Sequence, residues 1–221
     1  MKIVLTGATG FVGSTILKQL LERPEVTHIT CLVRRPISVP SSKVETILHA
    51  DFSAYDLELA AKLADHAACI WALGGKASDN PNSTEYLWAT HTFTLAFARA
   101  VAEQQKQPFR FSYLSGMGAD PTETSTFPWE KTTRHLKGRT ERDLQELTEQ
   151  YSLFSATAFR PAGILPEADG FTASLVNLLL APISVRVDCL AAAMISEAAL
   201  STAPKYHVVS NGSIKKMAAE R

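Results

Sequence analysis

The stretch Lys2-Ile3-Val4-Leu5-Thr6-Gly7-Ala8-Thr9-Gly10-Phe11-Val12-Gly13 decides the fold. A short aliphatic segment, Lys2 to Thr6, runs through three spaced glycines into a helical pattern that reaches about Glu22 and stops before Pro24. Between a strand and a helix, GxxGxxG spacing has a physical meaning. Gly7 permits the tight turn out of the strand, Gly10 lets the backbone approach a pyrophosphate, and Gly13 lets helix pack closely on strand. The helix start then offers unsatisfied N–H groups and a partial positive charge to the phosphates. Thr9, Phe11 and Val12 share that turn and belong to the candidate phosphate site.

The second strand, Thr27 to Val33, ends at Arg34-Arg35-Pro36. Sites specific for NAD place Asp or Glu there, about 20 residues beyond the glycines, to bind the ribose 2′-hydroxyl. Arg34 and Arg35 stand 21 and 22 residues after Gly13 instead. A carboxylate repels a 2′-phosphate, whereas a guanidinium binds it bidentately. The sequence therefore favours NADP(H). After a weaker third strand, Val44 to Leu48, Asp51 and Phe52 fall beside the adenine, where Asp51 would accept from the exocyclic amine; an exposed loop acid is the alternative. Ala67 to Leu73 is almost wholly apolar, as a strand covered on both faces should be. Leu73-Gly74-Gly75 at its end would let the backbone pass close to the ribose or nicotinamide.

Alternation of short apolar runs and helical patterns continues along the chain. Helices are expected from Asp56 to Ala64, from Pro81 to about Gln105, and from Trp129 to Gln150. Strands are expected over Phe109 to Ser115 and Leu153 to Phe159. Between them Gly116 to Pro128 reads as a loop, at 13 residues long enough for a lid over a site. The last third is less regular: an apolar helix near Thr172 to Leu180, a helix from Asp188 to Leu200, a strand Tyr206 to Ser210, and a polar tail. The expected architecture is one doubly wound α/β domain over residues 1–221. Its parallel sheet would have six or seven strands, with a small C-terminal elaboration from about residue 161. Right-handed crossovers would bring the Gly loop, Arg34, Leu73 to Gly75, Ser115 and Pro161 to one edge.

Composition excludes other classes. Lys plus Arg and Asp plus Glu are both 22, giving zero formal charge and no general attraction to nucleic acid. A hydrophobic share of 46% with 20% charged residues argues against disorder. Cys31, Cys69 and Cys189 lie in apolar stretches and read as buried thiols in a reducing compartment. The longest uncharged run, Gly170 to Val185, has 16 residues where a membrane span needs about 20. The segment Met1 to Gly7 is too short in aliphatics for a signal peptide. A cytoplasmic protein is the expectation. The six histidines show no metal-ligand spacing.

Taken in order, Thr6-Gly7-Ala8-Thr9-Gly10-Phe11-Val12-Gly13, Leu32-Val33-Arg34-Arg35, Asp51, Tyr113-Leu114-Ser115, Lys137-Gly138 and Phe159-Arg160-Pro161 resemble the short-chain dehydrogenase/reductases. The likeness is to their extended and atypical, epimerase-like branch. It implies an NAD(P)-binding Rossmann domain and a Tyr-x-x-x-Lys pair aided by a Ser or Thr from the loop after the fifth strand. There the Tyr is the general acid or base, the Lys binds the nicotinamide ribose and lowers the Tyr pKa, and the hydroxyl polarises the substrate oxygen. On this resemblance Lys137 is the lysine and Ser115 the serine, both contacting cofactor. Thr133 stands four residues before Lys137 in place of Tyr. Gly116 occupies a position that often holds a second hydroxyl, and Thr90 is nearest to a bracing Asn. Trp129, with the helical face of Phe171, Leu175, Leu178 and Leu179, would roof the nicotinamide end or complete the core.

Two function classes remain. One is an NADP(H)-dependent oxidoreductase acting on a small carbonyl or enone. The other is a cofactor-binding sensor or partner-binding protein without turnover.

Overall fold

Alternation of side chains along each strand divides the core in two. In β1 (Lys2–Thr6) Ile3 and Leu5 face one layer while Val4 faces the other. In β4 (Ala68–Trp71) Ala68 and Ile70 share the first layer, and Cys69 and Trp71 the second. Helices must therefore cover both faces. The computed structural model describes residues 1–75, 82–126, 130–167, 183–200, 202 and 204–220.

After β1 come α1 (Phe11–Leu21), β2 (His28–Val33), β3 (Val44–Leu48), α2 (Leu57–Ala64) and β4. Next are α3 (Thr84–Leu87), a wide π turn over Trp88–Thr92, α4 (Phe93–Glu103), β5 (Phe109–Leu114), α5 (Lys131–Gln150) and β6 (Phe154–Arg160). The chain then forms β7 (Gly163–Leu165), β8 (Ser184–Arg186), α6 (Val187–Ala198), β9 (Tyr206–Ser210) and α7 (Asn211–Ala219). Seven strands pair in the order β3-β2-β1-β4-β5-β6-β9, every pair parallel. Leu5 lies between Cys31 of β2 and Ile70 of β4. The winding direction reverses between β1 and β4, and in such sheets a ligand binds beyond the carboxyl ends of the strands at that point.

The first layer packs α1 and α6 on the sheet through Ile16, Leu20, Leu190 and Met194. The second packs α2, α4 and α5, and its centre is aromatic. Trp71 lies 5.0 Å from Phe97, 5.8 Å from Phe111 and 6.1 Å from Phe52 between ring centroids, and Phe154 lies 5.9 Å from Phe111. These tilted and edge-on contacts add to the burial of the rings.

Three departures from sequence expectation bear on function. The helix expected from Pro81 to Gln105 runs from Thr84 to Glu103 in the described residues, Pro81 lying outside them, and takes a π form over Trp88–Thr92. There the Thr90 carbonyl accepts from Thr94 Oγ1 at 3.0 Å and, from outside the helix, from the Tyr113 and Thr140 hydroxyls at 3.4 Å. The expected polar tail is instead α7, capped by Ser210 Oγ, which accepts from Ser213 N–H, and anchored by the buried Ile214. A separate parallel ladder, Gly163–Leu165 with Ser184–Arg186, lies within the C-terminal elaboration. The helix expected near Thr172 to Leu180 falls outside the described residues, as do Pro128, Trp129 and the face of Phe171, Leu175, Leu178 and Leu179.

Phe111→Ala should destabilise the fold by about 3–5 kcal/mol, because it empties the middle of the aromatic layer. Urea unfolding checks it: the midpoint should drop with the slope unchanged.

Candidate functional site

The turn after β1 is set by steric exclusion. Gly7 has φ +67°, and a Cβ there would overlap the Ala72 carbonyl just past the end of β4. A Cβ on Gly13 would overlap the Gly7 carbonyl. These two close approaches pin the start of α1 over the carboxyl ends of β1 and β4. Gly10 differs: its φ of −81° is ordinary, and an added Cβ would meet only the Gly7 oxygen, at 3.2 Å. Thr9, Gly10 and Phe11 are exposed, while Val12 and Gly13 are buried. No side chain caps α1, so the N–H groups of its first turn face outward without a side-chain acceptor. Such a turn could accept a phosphate group on its main-chain amides.

Arg34 and Arg35 follow β2 and are exposed, and neither forms an ion pair among the described residues. Asp51 is exposed beyond β3. Its Oδ1 accepts from Ser53 N–H at 2.9 Å and Ser53 Oγ at 2.5 Å, bonds that hold its carboxyl below the usual range. Phe52, only 2% exposed, points into the aromatic layer, so its main chain alone is available to a ligand. Leu73 is half-buried and Gly74 exposed, with open space where its Cβ would be; Gly75 is half-buried. The Gly7 turn, Leu73 to Gly75, Ser115 and Pro161 all follow the carboxyl ends of neighbouring strands.

At the end of β5 the site is more closed than the sequence implied. Ser115 is 2% exposed, and its Oγ donates to Glu141 Oε1 at 2.5 Å. Its hydroxyl is committed inside the protein, whereas the resemblance had it polarising a substrate oxygen. Glu141, itself fully buried, accepts from Arg160 Nε at 3.0 Å and Arg160 Nη2 at 2.5 Å. Lys137, half-buried, donates from Nζ to the Ser115 carbonyl at 2.9 Å, beside Gly116. Burial lowers the Lys137 pKa, and the nearby Glu130 and Glu141 carboxylates oppose that shift. Thr133 is buried, and its hydroxyl finds no hydrogen-bond partner among the described residues; the same holds for Thr90. Neither threonine can serve as an acid near neutral pH.

Sequence reasoning missed Glu141 as a site residue and met Arg160 only as part of a resemblance. The available signal was spacing: Glu141 follows Lys137 by four, so both lie on one helical face.

The loop after Ser115 is a strap, fastened by hydrogen bonds over the described span 116–126. Arg134 Nε donates to the Gly118 carbonyl at 2.8 Å, and Asp120 N–H donates to the Arg134 carbonyl at 3.0 Å. Arg139 grips Glu123 through Nε at 2.9 Å and Nη2 at 2.5 Å. Met117 N–H reaches the Pro161 carbonyl at 2.8 Å, tying the strap to the end of β6. Gly138 makes the crossing possible, since a Cβ there would overlap the main chain of Asp120 and Pro121. Phe127 and Pro128, the end of the stretch expected as a lid, fall outside the described residues.

Asp120 organises the strap. Its carboxylate accepts from Ser125 N–H at 2.8 Å and Thr122 Oγ1 at 2.7 Å, and these bonds, with His135 nearby, hold its pKa down to about 2. A depressed folded pKa makes the contribution complete above the unfolded value near 3.8 and lost as pH falls through about 2. The Ser125 amide resonance should therefore stay in place between pH 5 and pH 3 in an NMR titration, and Asp120→Ala should displace it at neutral pH. A midpoint near 4 would show the carboxylate is not so held.

Among the described residues no helix is long and apolar enough to cross a membrane, and no cluster of His, Cys, Asp and Glu could hold a metal. The NAD(P)H-binding family matches residues 7–177. Leucinostatins biosynthesis cluster protein T of Purpureocillium lilacinum is 34% identical over 124 residues, which is 55% of this chain and 45% of that protein. The mitochondrial protein fmp52 of Aspergillus fumigatus is 26% identical over 149 residues, covering 66% of this chain and 60% of its own. The chain thus spans less than two thirds of the length of both relatives. Among solved structures, glucuronic acid dehydrogenase from Chromohalobacter salexigens superposes with a TM-score of 0.69 at 15% identity, covering 95% of this chain and 75% of that one. The PhqB reductase domain from Penicillium fellutanum gives 0.66 at 18% identity, covering 96% and 66%. With a three-glycine turn at the reversal point of a parallel sheet, the chain belongs to the NAD(P)H-binding family and carries the doubly wound Rossmann fold.

Proposed function

We propose that the protein is an NADP(H)-dependent oxidoreductase acting on a small carbonyl or enone. The observation that carries the cofactor choice is the pair Arg34 and Arg35, exposed at the end of β2 with no carboxylate paired to them among the described residues. The pyrophosphate would lie on the uncapped first turn of α1, and the 2′-phosphate against the two guanidiniums. Asp51 would accept from the adenine amine through the oxygen that Ser53 leaves open. When bound, the dihydronicotinamide supplies a hydride. This chain contributes binding and charge: Lys137, fixed on the Ser115 carbonyl, would take the ribose hydroxyls and hold positive charge beside the reacting oxygen. Dehydrogenase and reductase structures among the neighbours agree with that class.

A second reading is a cofactor-binding sensor without turnover, its partner a regulatory ligand. It is favoured by Thr133 in place of an acid and by the engagement of the Ser115 hydroxyl with Glu141. A panel of aldehydes, ketones and quinones with NADPH separates the readings. Turnover that vanishes in Lys137→Ala supports the enzyme; cofactor binding with no turnover supports the sensor.

Titration calorimetry should find NADPH bound about tenfold or more tighter than NADH, a difference of about 1.5–3 kcal/mol for charge-assisted contacts. Arg34→Ala/Arg35→Ala should erase the preference, and equal affinities in the native protein would refute it. Gly10→Val should fold, because the backbone at Gly10 (φ −81°, ψ 170°) suits any residue, yet should lose NADPH binding. Normal binding by that variant would mean the phosphates lie elsewhere.

A further inference from the structure

One residue, Ser115, is gripped at both of its polar ends by side chains one turn apart on α5. Lys137 Nζ holds its carbonyl at 2.9 Å, and Glu141 Oε1 holds its hydroxyl at 2.5 Å. Glu141 cannot drift. It is fully buried in the middle of α5, and Arg160, the last residue of β6, fastens both of its oxygens. Three elements, β5, α5 and β6, are thereby locked in register at the edge where the cofactor would lie. A hydroxyl bonded to an ionised carboxylate is held more strongly than one bonded to a neutral carbonyl, so a substrate oxygen would compete poorly for it. A buried ion pair of this kind is weak evidence for added stability, and fixed geometry is its better-attested use.

We infer that Glu141 and Arg160 form a clamp that positions Lys137 through Ser115, making Ser115 a positioning residue instead of one that touches substrate. The inference rests on reading Lys137 as the cation that meets the cofactor ribose. Four charged groups act on the ammonium or its clamp: Glu130 just before α5, Glu141 from α5, Arg160 from β6, and Asp120 from the strap. Arg134 and His135 precede Lys137 on α5, and Tyr206 of β9 reaches Glu141. Glu141 and Arg160 cancel each other, so the ammonium stands beside a neutral pair. Removing the carboxylate alone would leave two cations close together.

The test needs no turnover. Lysines carrying 13C-methyl groups, which keep their charge, report the titration of Lys137 by NMR in the native protein, Glu141→Gln and Ser115→Ala. In Glu141→Gln the Lys137 midpoint should fall by about one pH unit, the size of shift a lost neighbouring charge commonly produces. In Ser115→Ala the Lys137 signal should move and NADPH affinity should drop several-fold, and Ser115→Thr should restore both. A folded Glu141→Gln protein with an unchanged Lys137 midpoint overturns the clamp. So does Ser115→Ala with native Lys137 signal and native NADPH affinity, and this variant decides the matter if Glu141→Gln does not fold. If the native protein binds no NADPH, the cofactor reading falls, and the lysine titration still decides the clamp.

Discussion

Everything at the carboxyl edge of the sheet depends on a contact that allows no side chain. The Gly7 turn lies against the Ala72 carbonyl, and Gly13 lies against Gly7. Van der Waals exclusion, not a strong bond, fixes where α1 begins. Once α1 starts there, its first-turn amides point over the gap between β1 and β4, and the rest of the edge can be measured from them. Gly10 is the exception. Its backbone angles suit any residue, and a Cβ there would meet only the Gly7 oxygen, at a tight 3.2 Å, a far milder conflict than at Gly7 or Gly13.

The other end of the edge is held by charge. Around Ser115, a carboxylate, a guanidinium and an ammonium sit within one buried or half-buried cluster, and each is satisfied by a named partner. Such a cluster is costly to desolvate unless its geometry is well fixed. The fixing comes from three directions at once: helix, strand and strap. The π turn at Trp88–Thr92 closes the same region from the neighbouring helix, gathering three hydroxyls on the Thr90 carbonyl. Wide turns of this kind recur at functional sites.

The sheet and its helices were legible because strand and helix periods differ and the apolar residues of β1, β2, β4 and β5 follow them closely. The glycine turn was legible because its meaning lies in local spacing. Glu141 was not, since a glutamate on a polar helix reads as solvated until a partner 19 residues away, Arg160, is brought beside it by β6. The anchoring of the strap was not legible for a related reason. Gly, Pro, Ser and Thr over residues 116–126 signal an irregular path, and composition does not say whether that path is anchored. Its anchors, Arg134, Arg139 and Gly138, lie on the following helix, where they look like ordinary surface positions. The π turn left no sequence mark, and α7 was hidden by its polarity, with Ile214 as its one buried residue.

Loops are usually where a chain can lengthen or shorten at little cost. The segment 116–126 reverses that rule. Beyond Met117, its fastenings belong to fixed places on α5: Gly118 to Arg134, Asp120 to the notch left by Gly138, Glu123 to Arg139. Adding or deleting one residue would slip every later fastening past its partner at once, as a belt moved by a single hole misses its buckle. Chain length here is therefore a structural quantity, as constrained as the register of a strand. A graft or tag inserted in this stretch would disturb the end of β5 through Ser115, however exposed the insertion point looked.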